Sequence, residues 1–170
     1  MTPTASPVRP RLSGPDLVMV TLLSGAAGTI AFDLWGQAIS PLLGLGNLAP
    51  VGLARSLLGN LGLPNGNPAG TLMHLFLVGL VAYPLGWILI ARPVLSRLVP
   101  SLGWFLGSLL YGVGLWVFAI GLVTMVAGLP FFLDFTRITW VALAGHVLYA
   151  IAQVAALEWM SRRRGRKKGG

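Results

Sequence analysis

The chain has 170 residues, of which 55% are hydrophobic and 9% charged, with a mean hydropathy of +0.80. A water-soluble domain needs about 25% charged residues to clothe its surface, so this composition excludes one and makes lipid the solvent for most of the chain. The formal net charge of +8 is concentrated in residues 162–168, which reads as a membrane-flanking basic tail and not as a nucleic-acid-binding field. Cysteine is absent, which excludes disulfides, thiolate metal sites and a Cys nucleophile.

Residues 1–16 are rich in Pro, Ser and Thr, carry Arg9 and Arg11, and read as a disordered cytoplasmic tail. The apolar run that follows is longer than a signal-peptide core and lacks a small-x-small cleavage site, so it reads as a retained anchor. The first span is predicted over 17–39, LVMVTLLSGAAGTIAFDLWGQAI, stopped by Ser40-Pro41. Gly25 and Gly28, beside Ser24 and Ala27, give it a helix-packing face. Asp33 within this span would cost about 3 kcal/mol facing lipid, so it is expected to be buried against protein or water, unless the span ends early and leaves it at the interface.

Segment 41–70 is rich in Gly, Pro and Asn. Within it VGLARSLLGNL, 51–61, sets Leu53, Leu57, Leu58 and Leu61 on one helical stripe, which predicts a short interfacial helix between spans 1 and 2. The second span, 71–91, reads TLMHLFLVGLVAYPLGWILIA, uncharged over roughly 30 Å of helix, with His74 near its start and Arg92 just past its end. The third span is predicted over 102–129, with Gly103, Gly107 and Gly114 near four-residue spacing as a second packing face. Phe131, Phe132, Phe135 and Trp140 then read as an interfacial aromatic belt. The fourth span, 138–160, carries His146, Tyr149, Gln153 and Glu158, and the basic tail 161–170 closes the chain.

The fold class expected is all-α: an integral membrane four-helix bundle with a short interfacial helix. Arg9, Arg11, Arg92, Arg97 and the 162–168 cluster fall on one side of it, and Arg55 and Arg137 on the other. That asymmetry predicts a multi-pass membrane protein with both termini cytoplasmic. His74, His146 and Asp33 then lie roughly 5, 12 and 9 Å from the opposite surface. Two level histidines on neighbouring helices can bind a haem iron from both faces, or a chlorin pigment. A His–Asp pair can make a buried hydrogen bond or a proton relay. Without a cofactor, His74 is expected to pair with a loop carbonyl and His146 to hydrogen-bond across helices. No metal cluster, no paired carboxylates, no Ser–His–Asp arrangement and no dinucleotide fingerprint is assembled by the spacing, so no enzyme is expected.

GAAGTIAFDLW, ARSLLGNLGLP, GTLMHLFLVGLVAYPLGW and GHVLYAIAQ resemble a group of uncharacterised bacterial four-helix inner-membrane proteins, over most of 25–153. The resemblance implies a four-helix bundle and no activity, and Asp33 stands where a neutral residue is expected. The function expected is a non-catalytic accessory or assembly subunit of a larger membrane complex, respiratory or photosynthetic, docked through Gly-rich faces on other integral membrane subunits in the lipid bilayer. The alternatives are a haem-binding electron carrier using His74 and His146, and a small proton or ion transporter using Asp33.

Overall fold

A computed structural model describes residues 14–167, with side chains as far as residue 163. Four helices among the described residues are long and apolar enough to cross a membrane: α1, Gly14–Leu42; α3, Asn67–Leu98; α4, Trp104–Val126; and α5, Arg137–Lys167. The short α2, Pro50–Asn60, lies between the first two. The protein is an all-α, multi-pass membrane bundle.

Three of these helices outrun the predicted spans, for identifiable reasons. Residues 14–16 were expected in the disordered tail but open α1, where Pro15 and Asp16 suit a first turn: the proline lacks a donor that would go unused, and the carboxylate faces the positive helix end. Residues 1–13 lie outside the described residues. Ser40-Pro41 was expected to stop the first span and the second was expected to end before Arg92, yet both helices pass through these points. Each proline follows a stretch of wide, i→i+5 turns: Trp35–Ile39 before Pro41, Leu72–Ala82 before Pro84 and Trp87–Ala91 before Pro93. A wide turn makes room for the ring and shifts the bonding pattern around the missing N–H, so the helix bends its rule without breaking. At the other end α5 continues to Lys167 because nothing in Arg162–Lys167 stops it, and basic residues favour a helix C-terminus. The expected tail 161–170 is therefore helical as far as Lys167.

Only α4 is shorter than predicted. Gly128 adopts a left-handed φ of +73° and Leu129 donates to the Thr124 carbonyl at 2.9 Å, a glycine-closed C-terminus.

α5 sits centrally, packed against α1 and α4, and α3 joins through α1. It is the most buried of the four spans, and α3 the least. Close crossings occur where side chains are missing. A Cβ on Gly25 would lie 2.7 Å from the Gly79 carbonyl and Leu80 Cα, so α1 and α3 touch backbone to backbone there. A Cβ on Gly28 would lie 2.7 Å from the Tyr149 ring, and one on Gly107 3.2 Å from the Trp87 ring. A Cβ on Gly103 or Gly114 would meet nothing within 4 Å, so neither packs a helix among the described residues. Gly112 makes the α4–α5 crossing instead: a Cβ there would lie 2.6 Å from Val147 Cα. Gly114 is two residues on, about 200° round the helix, and so points away.

The α4–α5 connection is unusual. Phe132, Leu133, Asp134 and Phe135 are all left-handed, with φ of 48°, 51°, 54° and 52°. Phe132 turns inward, 4.8 Å from the Trp116 ring, and its carbonyl accepts from Thr139 Oγ1 at 2.6 Å. It is thus a core residue, and only Phe131, Phe135 and Trp140 stay exposed as a belt.

Candidate functional site: an apolar cavity beneath α2

α2 roofs the bundle where α1 ends and α3 begins. Polar anchors hold it: Asn60 Nδ2 donates to the Val126 carbonyl at 2.7 Å, and Arg55 donates to the Asn65 carbonyl and to Asn67 Oδ1 at 2.9 and 3.0 Å. Of the predicted interfacial stripe, Leu53 and Leu57 face inward, while Leu61 stays exposed. Beneath α2 lies a cavity of about 690 Å³, walled by all four spans and almost wholly apolar. Leu77 on α3 and Phe118 on α4 line it and are themselves about half exposed, so the wall is loosest between those two helices. α3 and α4 meet lower down, through Tyr111 against Tyr83, Gly86 and Trp87.

Few polar groups reach this space. His74 Nε2 lies 3.0 Å from Asp33 Oδ1, which also accepts from Gln37 Nε2 at 2.8 Å. Asp33 is thus held between α1 and α3, partly exposed, at the α2 end of the bundle. His74 bonds a carboxylate and not a loop carbonyl. His146 is 4% exposed, and its Nδ1 donates to the Ala142 carbonyl of its own helix at 2.7 Å, not across helices. The Phe32 ring packs against both imidazoles, at 5.9 Å from His74 and 5.1 Å from His146. The two histidines are therefore level. They do not form a two-faced haem site: one ligand nitrogen is tied to Asp33, and Phe32 fills space beside both rings where a flat macrocycle would lie. Among the described residues no three His, Cys, Asp or Glu side chains come together to hold a metal ion.

Asp33→Leu should destabilise the protein by about 2 kcal/mol, since it strands His74 and Gln37, whereas Asp33→Asn keeps an acceptor and should cost less than half as much. Equal losses in thermal unfolding would mean that the acceptor does not matter.

Sequence reasoning placed Tyr149 and Gln153 on the fourth span without giving either a hydrogen-bonding role, and gave none to Tyr83 or Tyr111. Pro84 interrupts α3 in mid-span, and in the local i→i+5 pattern (Tyr83 N–H to the Val78 carbonyl) its absent N–H leaves the Gly79 carbonyl without a donor. The Tyr149 hydroxyl supplies one at 2.6 Å, from α5. The Tyr111 hydroxyl donates to the Tyr83 carbonyl at 2.5 Å. A proline deep in an apolar span was the available signal, because such a site needs a donor from a neighbouring helix. Tyr83 lines the cavity 6.3 Å from His146, and its hydroxyl has no hydrogen-bond partner among the described residues. Gln153 is wholly buried on α5, and neither of its amide atoms is hydrogen-bonded.

Comparison with known proteins finds no family, no curated protein and no solved structure that the chain matches.

Proposed function

We propose that the protein is a non-catalytic membrane subunit that holds an elongated apolar ligand in the cavity beneath α2. The cavity carries this reading: its volume of about 690 Å³ falls in the range that encloses a small ligand, its lining is apolar, and a few polar groups converge in it. Membrane extracted in mild detergent should yield the protein with a lipid or pigment bound, detectable by mass spectrometry. Val123→Trp, which fills the cavity from α4, should reduce that retention at least about fivefold. Unchanged retention would sink the proposal.

The accessory-subunit reading is favoured separately by α3, the least buried span, which leaves Leu72, Phe76, Leu89 and Ile90 exposed for lipid or a partner helix. A respiratory or photosynthetic complex would suit it, and migration of the same extract at the protein's own mass on a native gel would remove it. The proton- or ion-transport alternative rests on Asp33, and unchanged flux in Asp33→Asn vesicles would end it.

We further infer an inner-membrane location with both termini cytoplasmic, supported by the basic residues gathered at that end, among them Arg92 paired with Glu158 at 3.3 Å and Arg163 stacked 4.0 Å from the Trp159 ring. The cysteine-free chain makes this simple to check. A membrane-impermeant maleimide should label Leu61→Cys in intact cells, and Ser96→Cys only after permeabilisation; the reverse pattern would invert the topology.

A further inference from the structure

We infer that the cavity selects a lipid alcohol: a hydrocarbon body carrying a hydroxyl that donates a hydrogen bond to His146 Nε2. This rests on the cavity reading above and assigns the chemistry of its occupant. A backbone carbonyl only accepts, so the 2.7 Å bond to the Ala142 carbonyl places the proton of the neutral imidazole on Nδ1. Nε2 on the opposite side of the ring is then an acceptor only. It makes no hydrogen bond to any described residue, and His146 lines the cavity while being 4% exposed overall. A buried acceptor in an apolar wall favours whatever brings it a donor and disfavours another acceptor.

Tyr83 completes the recognition. Its ring centroid is 6.3 Å from that of His146, it lines the same cavity, and its hydroxyl is unpartnered. A ligand hydroxyl, unlike a carbonyl, offers both a donor for His146 Nε2 and an acceptor for the Tyr83 hydroxyl. A carbonyl or an ether oxygen can only accept, so it satisfies Tyr83 and leaves the imidazole nitrogen bare. Thr29, Thr124 and Tyr149 in the wall donate to the Gly25, Ile120 and Gly79 carbonyls, and the remaining polar side chains, Asn47 and Ser56, lie just before and on α2. His74 Nε2 is engaged by Asp33. Most of the lining, including Leu53, Leu57, Leu77, Val78 and Phe118, is hydrocarbon and fits a chain or ring system of the same kind.

The test compares hexadecanol, hexadecyl methyl ether and hexadecanal, each titrated into the full-length protein in lipid nanodiscs, with bound adducts counted by native mass spectrometry. The alcohol should bind about tenfold more tightly than the ether or the aldehyde, the worth of one hydrogen bond to a buried acceptor. His146→Leu should bring the three within about twofold of one another. Tyr83→Phe should weaken all three together and leave the preference for the alcohol in place. Equal binding of the three probes to the unaltered protein would overturn the selection for a hydroxyl while leaving the cavity reading standing, and needs no variant to fold. A preference that survives His146→Leu would overturn the role of that nitrogen. If none of the probes binds and none displaces a co-purified lipid, the cavity reading itself fails.

Discussion

Gly112→Ala should destabilise the bundle by about 3 kcal/mol, while Gly114→Ala, two residues along the same helix, should be neutral or slightly stabilising. The added methyl at Gly112 would sit 2.6 Å from Val147 Cα and 2.9 Å from the His146 carbonyl, both backbone atoms of α5. A flexible side chain could move aside, but a helix backbone can yield only by separating the two helices, which gives up packing along their length. In lipid that loss is direct, since helices there associate by close van der Waals contact and not by escape from water. At Gly114 nothing lies within 4 Å, so the same methyl meets only lipid or a partner and brings a better helix former. Unfolding in mixed micelles measures both. Similar losses at the two positions would mean that α4 and α5 do not cross at Gly112. Because His146 is next to the crossing, the Ala variant should also weaken ligand retention.

Tyr149→Phe should cost about 2 kcal/mol, and most of that cost should vanish in a Pro84→Ala background. Removing the hydroxyl leaves the Gly79 carbonyl with neither an N–H from Pro84 nor a donor from α5, in surroundings without water. Alanine at 84 restores an N–H to the helix, so the carbonyl no longer depends on Tyr149. The double-mutant cycle should therefore give a coupling of about 1 kcal/mol or more. Additive losses would show that the hydroxyl does not serve the carbonyl freed by Pro84, and no loss in Tyr149→Phe would leave ring packing, against Gly28 and Tyr83, as what Tyr149 contributes.

Hydropathy and charge made the four spans and the helix between them legible, because a bilayer imposes length and polarity on every segment that crosses it. Their ends were less legible. Pro41 and Pro93 look like stops only if a helix keeps one turn geometry throughout, and the wide turns before each of them remove that premise. Packing glycines were readable at Gly25 and Gly28, where small residues cluster. On α4 Gly107 was readable too, but spacing alone cannot say which side of the helix meets α5, so Gly112 was passed over for Gly114. The nearness of Asp33 and His74 followed from depth, since both lie near the same end of antiparallel spans. The cavity did not. It depends on α2 folding back over the bundle as a roof, and an amphipathic stripe such as Leu53–Leu57 reads the same whether it faces lipid or a hollow.

The left-handed run from Phe132 to Phe135 bears on how long the folded bundle lasts. For side chains larger than glycine such torsions cost about 1–2 kcal/mol each, so no unfolded chain favours four in a row. They are held by contacts from elsewhere: Trp116 and Gly121 against the Phe132 ring, and Thr139 on its carbonyl. The reversal is thus a product of α4 meeting α5, completed after the two helices have docked. Strain acquired that late raises the folded state without raising the barrier to reach it, so it leaves the folding rate alone and shortens the time before the bundle opens.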